Sequence, residues 1–332
     1  MWSVSGPPAV LQKEAIIPRN NGLEPAWPVL DYPAWRNSAL TLQLWMQIIG
    51  KIRLAQTPWL NHSWHVPFYV SSRGLQTSPI PFGRETVDVE FDFVGHRLLC
   101  RASIGSSAAL DLKPMSVASF HREVMSLFER LGCPVRISHE PSEFPDPIPF
   151  DQDHTHADYD ASAVHRFWRA LLHADNALKL FRTGFLGKAS PVHFFWGGFD
   201  LAVTRFSGRK APSHPGGIPG LSDHVTREAY SHEVSSAGFW PGSDRYPDAA
   251  FYAYAYPEPA GFRDWPVAVE ARYVAELGEF ILPYRAVQAA LDPDGSLQNF
   301  LEATYAAAAT LGKWDRSALE CVRGQPGKPR PL

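Results

Sequence analysis

The sequence of 332 residues has few cysteines, no long apolar run and almost no net charge. Cys100, Cys133 and Cys321 lie far apart, without the spacing of a zinc finger or a redox pair, so we expect neither a disulfide framework nor a structural zinc site. No apolar run approaches the roughly 20 residues that span a bilayer. Thirty-one basic and 34 acidic residues give a net charge of −3, which argues against nucleic acid or an anionic membrane as the main partner.

Several catalytic motifs are also missing from the sequence. It contains no Gly-Lys-Ser/Thr phosphate loop, no dinucleotide fingerprint after a strand, no Gly-x-Ser-x-Gly elbow and no His-Glu-x-x-His helix. The first 18 residues lack the basic and apolar segments of a secretory signal, so we expect a cytoplasmic protein. These absences leave a small molecule as the expected partner, and they do not determine the oligomeric state.

What the sequence has in quantity is aromatic residues, at 13%, together with 30 prolines and 13 histidines. This composition is typical of a soluble globular protein with long ordered loops and a concave aromatic surface. It does not by itself indicate a reaction.

The apolar periodicity predicts an α+β fold made of two similar units, each a helix, an antiparallel sheet and a helix, in one globular body. In the first unit we predict helices over 40–54 and 120–131 and strands over 64–71, 85–93, 96–101 and 108–112. In the second we predict helices over 161–185 and 294–311 and strands over 192–206, 228–236, 250–256 and 278–282. An internal duplication would place Trp45 opposite Trp168 and His65 opposite His193; a single α+β domain is the alternative.

Proline-rich and aperiodic stretches predict the domain boundaries. We expect an extended arm over 1–28, a first unit over 29–139, a linker over 140–160, a second unit over 161–320 and a disordered tail over 321–332. The second unit has long connections over 207–224, 241–248 and 257–265, which is typical of binding loops.

Histidines in aromatic surroundings are the candidate metal ligands, because neutral imidazole binds transition metals. They are His65 beside Trp64, His156, His193 before an aromatic run, and His232. His62 joins them only if 61–63 is a turn, because residues three apart on a strand point to opposite faces. The alternative for each is a hydrogen-bonded core histidine.

Carboxylates, arginines and aromatic residues supply the other candidates. Asp200 is the preferred catalytic carboxylate, since a bulge at Gly197-Gly198 would re-aim it; Glu258 is the second choice and Glu233 ranks lower. Arg205 or Arg209 would anchor a substrate carboxylate. The expected aromatic wall consists of Trp196, Tyr230, Trp240 and Tyr254. Tyr254 belongs to a run of three tyrosines that would either line a pocket or pack with their hydroxyls at its rim.

Four segments carry a resemblance to a known family. They are NHSWHVPFYVSSRGLQTSPIP at 61–81, SPVHFFWGGFDLAVTRFSGRKAPSHPGG at 190–217, EAYSHEVSSAGFWPG at 228–242 and FYAYAYPEPAGF at 251–262. The chain resembles a bacterial and fungal family of uncharacterised proteins over about residues 25–320. The resemblance implies no reaction. It places His62, His65, His156, His193, His214 and His232 within matching segments, and His154 outside them.

The leading functional hypothesis from the sequence is a metal-dependent enzyme acting on a small organic molecule. His65, His193 and His232 would bind zinc, for a hydrolase, or non-haem iron, for an oxygenase. The alternative is a non-catalytic protein that binds a small molecule or haem in the same pocket. A third hypothesis is an interaction module that uses the proline-rich arm.

Overall fold

The computed structural model describes residues 27–144, 146–218 and 220–330. Over these ranges it contains seven helices and two antiparallel sheets of six strands each, so the predicted α+β class is confirmed. The helices are α1 (Tyr32–Gln56), α2 (Val117–Arg130), α3 (Ala161–Arg182), α4 (Asp223–Ala229), α5 (Tyr284–Ala289), α6 (Pro293–Leu311) and α7 (Arg316–Leu319). The predicted arm lies outside the described residues except for Trp27 and Pro28.

The first sheet has the order β1-β2-β4-β5-β6, with β3 paired to β4. Its strands are β1 (Tyr69–Val70), β2 (Gly74–Gln76), β3 (Ile80–Phe82), β4 (Glu85–Asp92), β5 (Arg97–Ala102) and β6 (Ser107–Asp111). Val87, Val89 and Phe91 alternate along β4 and are fully buried, because one face of the sheet is covered by α1 and α2. Trp45 of α1 stacks on Phe120 of α2 at a ring distance of 4.7 Å.

The second sheet has the order β11-β12-β10-β9-β8-β7. Its strands are β7 (His193–Phe195), β8 (Asp200–Lys210), β9 (His232–Trp240), β10 (Ala250–Tyr256), β11 (Arg272–Val274) and β12 (Glu279–Pro283). One face carries the apolar row Leu201, Phe239 and Phe251, which are in register with one another and packed in the core. The opposite face carries Asp200 and Tyr252, because side chains alternate along a strand.

The two sheets are joined at their edges and share one hydrophobic core. Phe68, next to β1, and Phe194, in β7, exchange two backbone hydrogen bonds of 2.9 and 2.8 Å. This pair links the halves, and α3 packs against both α1 and β8. The element order of the halves is similar, while the internal duplication stays a prediction.

Two predicted strands near the cavity described below are wrong in part. In 64–71 only Tyr69–Val70 is a strand, because 61–63 forms a 3-10 turn in which His62 and Ser63 have φ values of +59° and +56°. In 228–236 the strand begins only at His232, since α4 extends to Ala229. Glu228 therefore lies in α4 and shares no strand face with His232.

Two predicted segments have defined contacts in the structure. The predicted linker contributes Ser142 and Glu143 to the contacts described below. In the predicted tail, the Gly324 backbone donates to Thr183 Oγ1 at 2.9 Å, and Arg323 donates to Gln298 at 3.0 Å.

Candidate functional site

A cavity of about 480 Å³ lies between the two halves, on the face of the second sheet that carries Asp200 and Tyr252. Strands β7, β8, β9 and β10 form its floor, and its walls come from residues 62–64, Val66, residues 142–143, Ile218 and the segment 220–230. Its volume is in the range of sites for metabolite-sized ligands.

Two carboxyl groups meet at one end of this cavity. The position of a Cβ on Gly198 would be 2.7 Å from Asp200 Oδ1 and 3.8 Å from Glu143 Oε2, and a Cβ on Gly197 would overlap Glu143 Oε1. The Gly197-Gly198 pair forms the turn between β7 and β8, rather than the predicted bulge, and its missing side chains leave the room that both carboxyls occupy.

The environment raises the pKa of both carboxyls. Desolvation of its carboxyl, and then the nearby Asp200, raise the pKa of Glu143 to about 7, although the residue as a whole is exposed to solvent. Burial raises the pKa of Asp200 to about 6, although a hydrogen bond from Tyr252 opposes the shift. Glu279 of β12 has a pKa raised to about 8 by burial and by Asp200. Raised values of this kind place proton exchange near neutral pH.

Tyrosine hydroxyls complete this end of the cavity. The Tyr252 hydroxyl donates to Asp200 Oδ2. To reach Asp200, the Tyr252 side chain passes over strand β9 at Gly238. A Cβ at this position would overlap the phenol oxygen, so glycine leaves the room for the contact. The Tyr230 hydroxyl donates to the Tyr254 oxygen at 3.0 Å.

Helix α1 of the first half positions the segments that carry the carboxyls. Gln47 Nε2 donates to the Ser142 carbonyl at 2.9 Å, and the Ser142 backbone N–H donates to Gln47 Oε1 at 2.7 Å. Lys51 donates to Ser142 Oγ at 3.1 Å, and Gln43 donates to the Gly197 carbonyl at 2.6 Å. The three α1 residues are spaced four apart, so they lie on one face of the helix.

The backbone at Glu143 is itself held in an uncommon conformation. Its φ is +62°, and its N–H donates to the Gly220 carbonyl at 3.1 Å. A non-glycine residue in this region costs about 1–3 kcal/mol and occurs often at functional sites.

Histidines lie at the other end of the cavity. His193 is 1% exposed and its Nδ1 has no hydrogen-bond partner. Burial lowers its pKa to about 3, so its ring is neutral at physiological pH. His62 Nδ1 donates to the Ala229 carbonyl at 3.2 Å and Nε2 accepts from Lys188 at 3.0 Å. Burial and Lys188 lower the pKa of His62.

The structure brings six of the sequence-predicted site residues to this cavity. They are His62, Asp200, His193, Trp196, Tyr230 and Tyr254. His62 reaches it because of the turn at 61–63, which is the condition set by the sequence argument.

The predicted arginines and the other predicted carboxylates lie elsewhere. Arg205 points to the helix-covered face of the sheet, where its guanidinium is 3.4 Å from the Phe181 ring centroid. Arg209 pairs with Glu233 at 2.6 Å, and Glu258 pairs with Arg263 at 2.7 Å. These side chains already have protein partners outside the cavity.

The remaining predicted residues are close to the cavity or remote from it. His232 is near its His62 end, with ring centroids 6.3 Å apart, and Trp240 stacks on Tyr252. His65 Nδ1 accepts from the Leu60 backbone at 3.3 Å. His156 pairs with Asp153 at 2.7 Å. Within the ranges that the structure describes, no group of three or more His, Cys, Asp or Glu side chains has an arrangement that could hold a metal ion.

Sequence reasoning missed Glu143, Glu279 and the contact of Tyr252 with Asp200. Glu143 lies in an aperiodic proline-rich stretch that we interpreted as a linker, so no spacing rule indicated it. Tyr252 carried a usable signal, because the Tyr252–Tyr254–Tyr256 alternation predicts one tyrosine-bearing strand face.

Fold and site together define an α+β protein with two antiparallel sheets and an acidic, aromatic cavity between its halves. The chain belongs to a family of unknown function, DUF5996, which matches residues 27–321. No curated protein and no solved structure matches the chain. Among the helices of the described ranges, none combines the length and apolar character needed to cross a bilayer.

Proposed function

We propose that the protein is an enzyme that transfers protons to and from a small organic molecule held in this cavity. The observation that carries the proposal is the pair Glu143 and Asp200, two carboxyl groups beside one point of the cavity with pKa values raised to about 7 and about 6. Paired carboxyls in a cavity lined with aromatic side chains are an arrangement used for general acid–base catalysis.

The environment of each carboxyl suggests its role. Asp200 accepts a hydrogen bond from Tyr252, which favours its ionised form and suits it to act as the base. Glu143 has the higher pKa and receives no hydrogen bond from the described residues, so it suits the role of the acid. Tyr252 is a positioning residue that holds the Asp200 carboxylate.

Incubation of the full-length protein with a small-molecule extract, followed by mass spectrometry, tests this proposal. We expect wild type to convert at least one compound, and Glu143→Gln and Asp200→Asn each to slow that conversion by about 10²-fold or more. Glu276→Gln, which removes an exposed carboxyl outside the cavity, should convert it at the wild-type rate. Conversion that both cavity variants leave unchanged, or no conversion by wild type, would contradict the proposal.

The metal-dependent enzyme predicted from the sequence is a second candidate, and one observation favours it. Buried His193 presents a neutral ring to the cavity with an Nδ1 that has no partner. A zinc or iron ion there would need two further ligands from groups that move toward it. Metal analysis of the purified protein distinguishes this candidate, since it requires bound metal that is lost in His193→Ala. Haem binding, also predicted from the sequence, would be seen as a Soret band.

A further inference from the structure

We propose that the substrate carries a protonated amine on an aromatic or aliphatic body, and that the ammonium group binds between Glu143 and Asp200. This inference rests on the proposed function and specifies its substrate class. Three features of the cavity support it: the carboxyl groups that have no paired cation among the described residues, the aromatic walls beside them, and the apolar side chains at the opposite end.

The acidic end of the cavity has carboxyl groups without cations. Within the described ranges, no lysine or arginine forms a salt bridge with Glu143, Asp200 or Glu279, and the nearby Lys51 donates to Ser142 Oγ at 3.1 Å. Asp200 accepts hydrogen bonds from the Tyr252 hydroxyl and from its own backbone N–H. An ammonium group would add one positive charge and would donate to the Glu143 carboxyl, which receives no hydrogen bond from the described residues.

The walls at this end suit an organic cation better than a hydrated metal ion. Trp196, Tyr230, Tyr252 and Tyr254 line the cavity, and the rings of Tyr252 and Tyr254 are stacked with centroids 6.2 Å apart. Aromatic faces attract ammonium groups and also pack against an apolar body.

The opposite end of the cavity suits the body of such a molecule. Trp64 and Phe206 line it, and the Lys188 ammonium, which donates to His62, lies 5.2 and 4.9 Å from their ring centroids. The His193 ring is neutral, so it adds no charge that would repel an amine, and its buried Nδ1 has no partner in the protein. A polar substituent on the far end of the substrate could donate to this nitrogen.

The experiment is isothermal titration of the full-length protein at pH 7.5 with three probes of matched shape: 2-phenylethylamine, 2-phenylethanol and 3-phenylpropionate. We expect the amine to bind about tenfold or more tightly than the alcohol or the carboxylate. Glu143→Gln and Asp200→Asn should each weaken amine binding about tenfold or more and leave alcohol binding unchanged, as expected for loss of a charge-assisted contact. Glu276→Gln should bind all three probes as wild type does.

Equal binding of amine and alcohol, no binding of the amine, or amine binding that survives both substitutions would overturn the inference. Zn²⁺ binding that both substitutions abolish, without amine binding, would instead indicate a metal site. Other results would distinguish failure of the amine inference from failure of the proposed function.

A neutral or anionic compound converted only when Glu143 and Asp200 are intact would overturn the amine inference and leave the acid–base proposal standing. Amine binding without conversion of any compound would support the amine inference and overturn the acid–base proposal.

Discussion

Glu143 is the acid of the proposed acid–base pair. Its pKa is raised from 4.5 to about 7 by desolvation of the carboxyl and by Asp200, while the residue as a whole is exposed to solvent. The folded state therefore holds the proton more tightly than the unfolded state does, so ionisation of Glu143 lowers the free energy of unfolding as the pH rises from 4.5 to 7. Function at this position is expected to cost stability.

A neutral replacement at position 143 should therefore stabilise the protein in a pH-dependent way. We expect Glu143→Gln to have the Tm of wild type below about pH 4.5, where both side chains are neutral, and a Tm higher by about 1–2 °C above pH 7, an increase limited by solvent screening of the exposed Glu143. Thermal unfolding at pH 4.5, 6 and 8 measures this difference. Glu276→Gln is the control for loss of one negative charge, and a variant less stable than wild type at pH 8 would contradict the prediction.

At the residue scale, sequence alone pointed to one of the two carboxyls of the proposed acid–base pair. The sequence indicated Asp200 because this residue follows the Gly197-Gly198 pair in a predicted strand. Glu143 was not indicated, because its position depends on contacts with Gln47-bound Ser142 and with Gly220, which are distant in sequence. Of the predicted histidines, His62 and His193 line the cavity, whereas His65 and His156 have protein partners outside it.

At the scale of elements, the turn between β7 and β8 determines where the Glu143 carboxyl lies. A Cβ on Gly197 would overlap Glu143 Oε1, the end of a flexible side chain, rather than backbone. The turn can therefore accept alanine by displacing the carboxyl, without unfolding the hairpin.

A double-mutant cycle between positions 197 and 143 tests this relation. We expect Gly197→Ala to displace the carboxyl toward water, so that Glu143→Gln no longer raises the Tm at pH 8 in the Gly197→Ala background. Gly184→Ala is the matched control, because its Cβ would make only ordinary contacts at 3.6 Å, and the effect of Glu143→Gln should persist there. Independent, additive effects of the Gly197 and Glu143 substitutions would show that the turn does not place the carboxyl.

Elements with a clear period were predicted well, and those set by distant contacts were not. β4 and β10 follow the alternation of Val87 to Phe91 and of Phe251 to Tyr256, and helices α3 and α6 follow the 3.6-residue period. The sequence predicted a strand from Glu228, but residues 223–229 form α4. This helix packs against the 61–63 turn, a long-range contact that local sequence patterns do not indicate.

At the scale of the whole molecule, the two halves share one hydrophobic core. Their sheets are joined through Phe68 and Phe194, and one core cluster contains buried residues of both. Either half on its own would lose part of that core, and the cavity between them would no longer exist.

The full-length protein should accordingly unfold in a single transition. Differential scanning calorimetry should give one peak whose calorimetric and van't Hoff enthalpies agree. Fragments 27–139 and 161–321 expressed separately should each lack a cooperative transition in circular dichroism. Two resolved peaks, or a cooperative transition in either fragment, would show that the halves are independent domains.

The row Gln43, Gln47 and Lys51 on α1 has a consequence for how this family can diverge. The first half supplies no carboxyl to the acidic end of the cavity, yet its helix holds the backbone beside both carboxyls of the proposed acid–base pair. Gln47 binds the backbone of residue 142, whereas Lys51 binds the Ser142 hydroxyl, so only the second contact depends on which side chain stands at 142. Among relatives that share one activity, we expect the residues at positions 51 and 142 to be inherited as a pair.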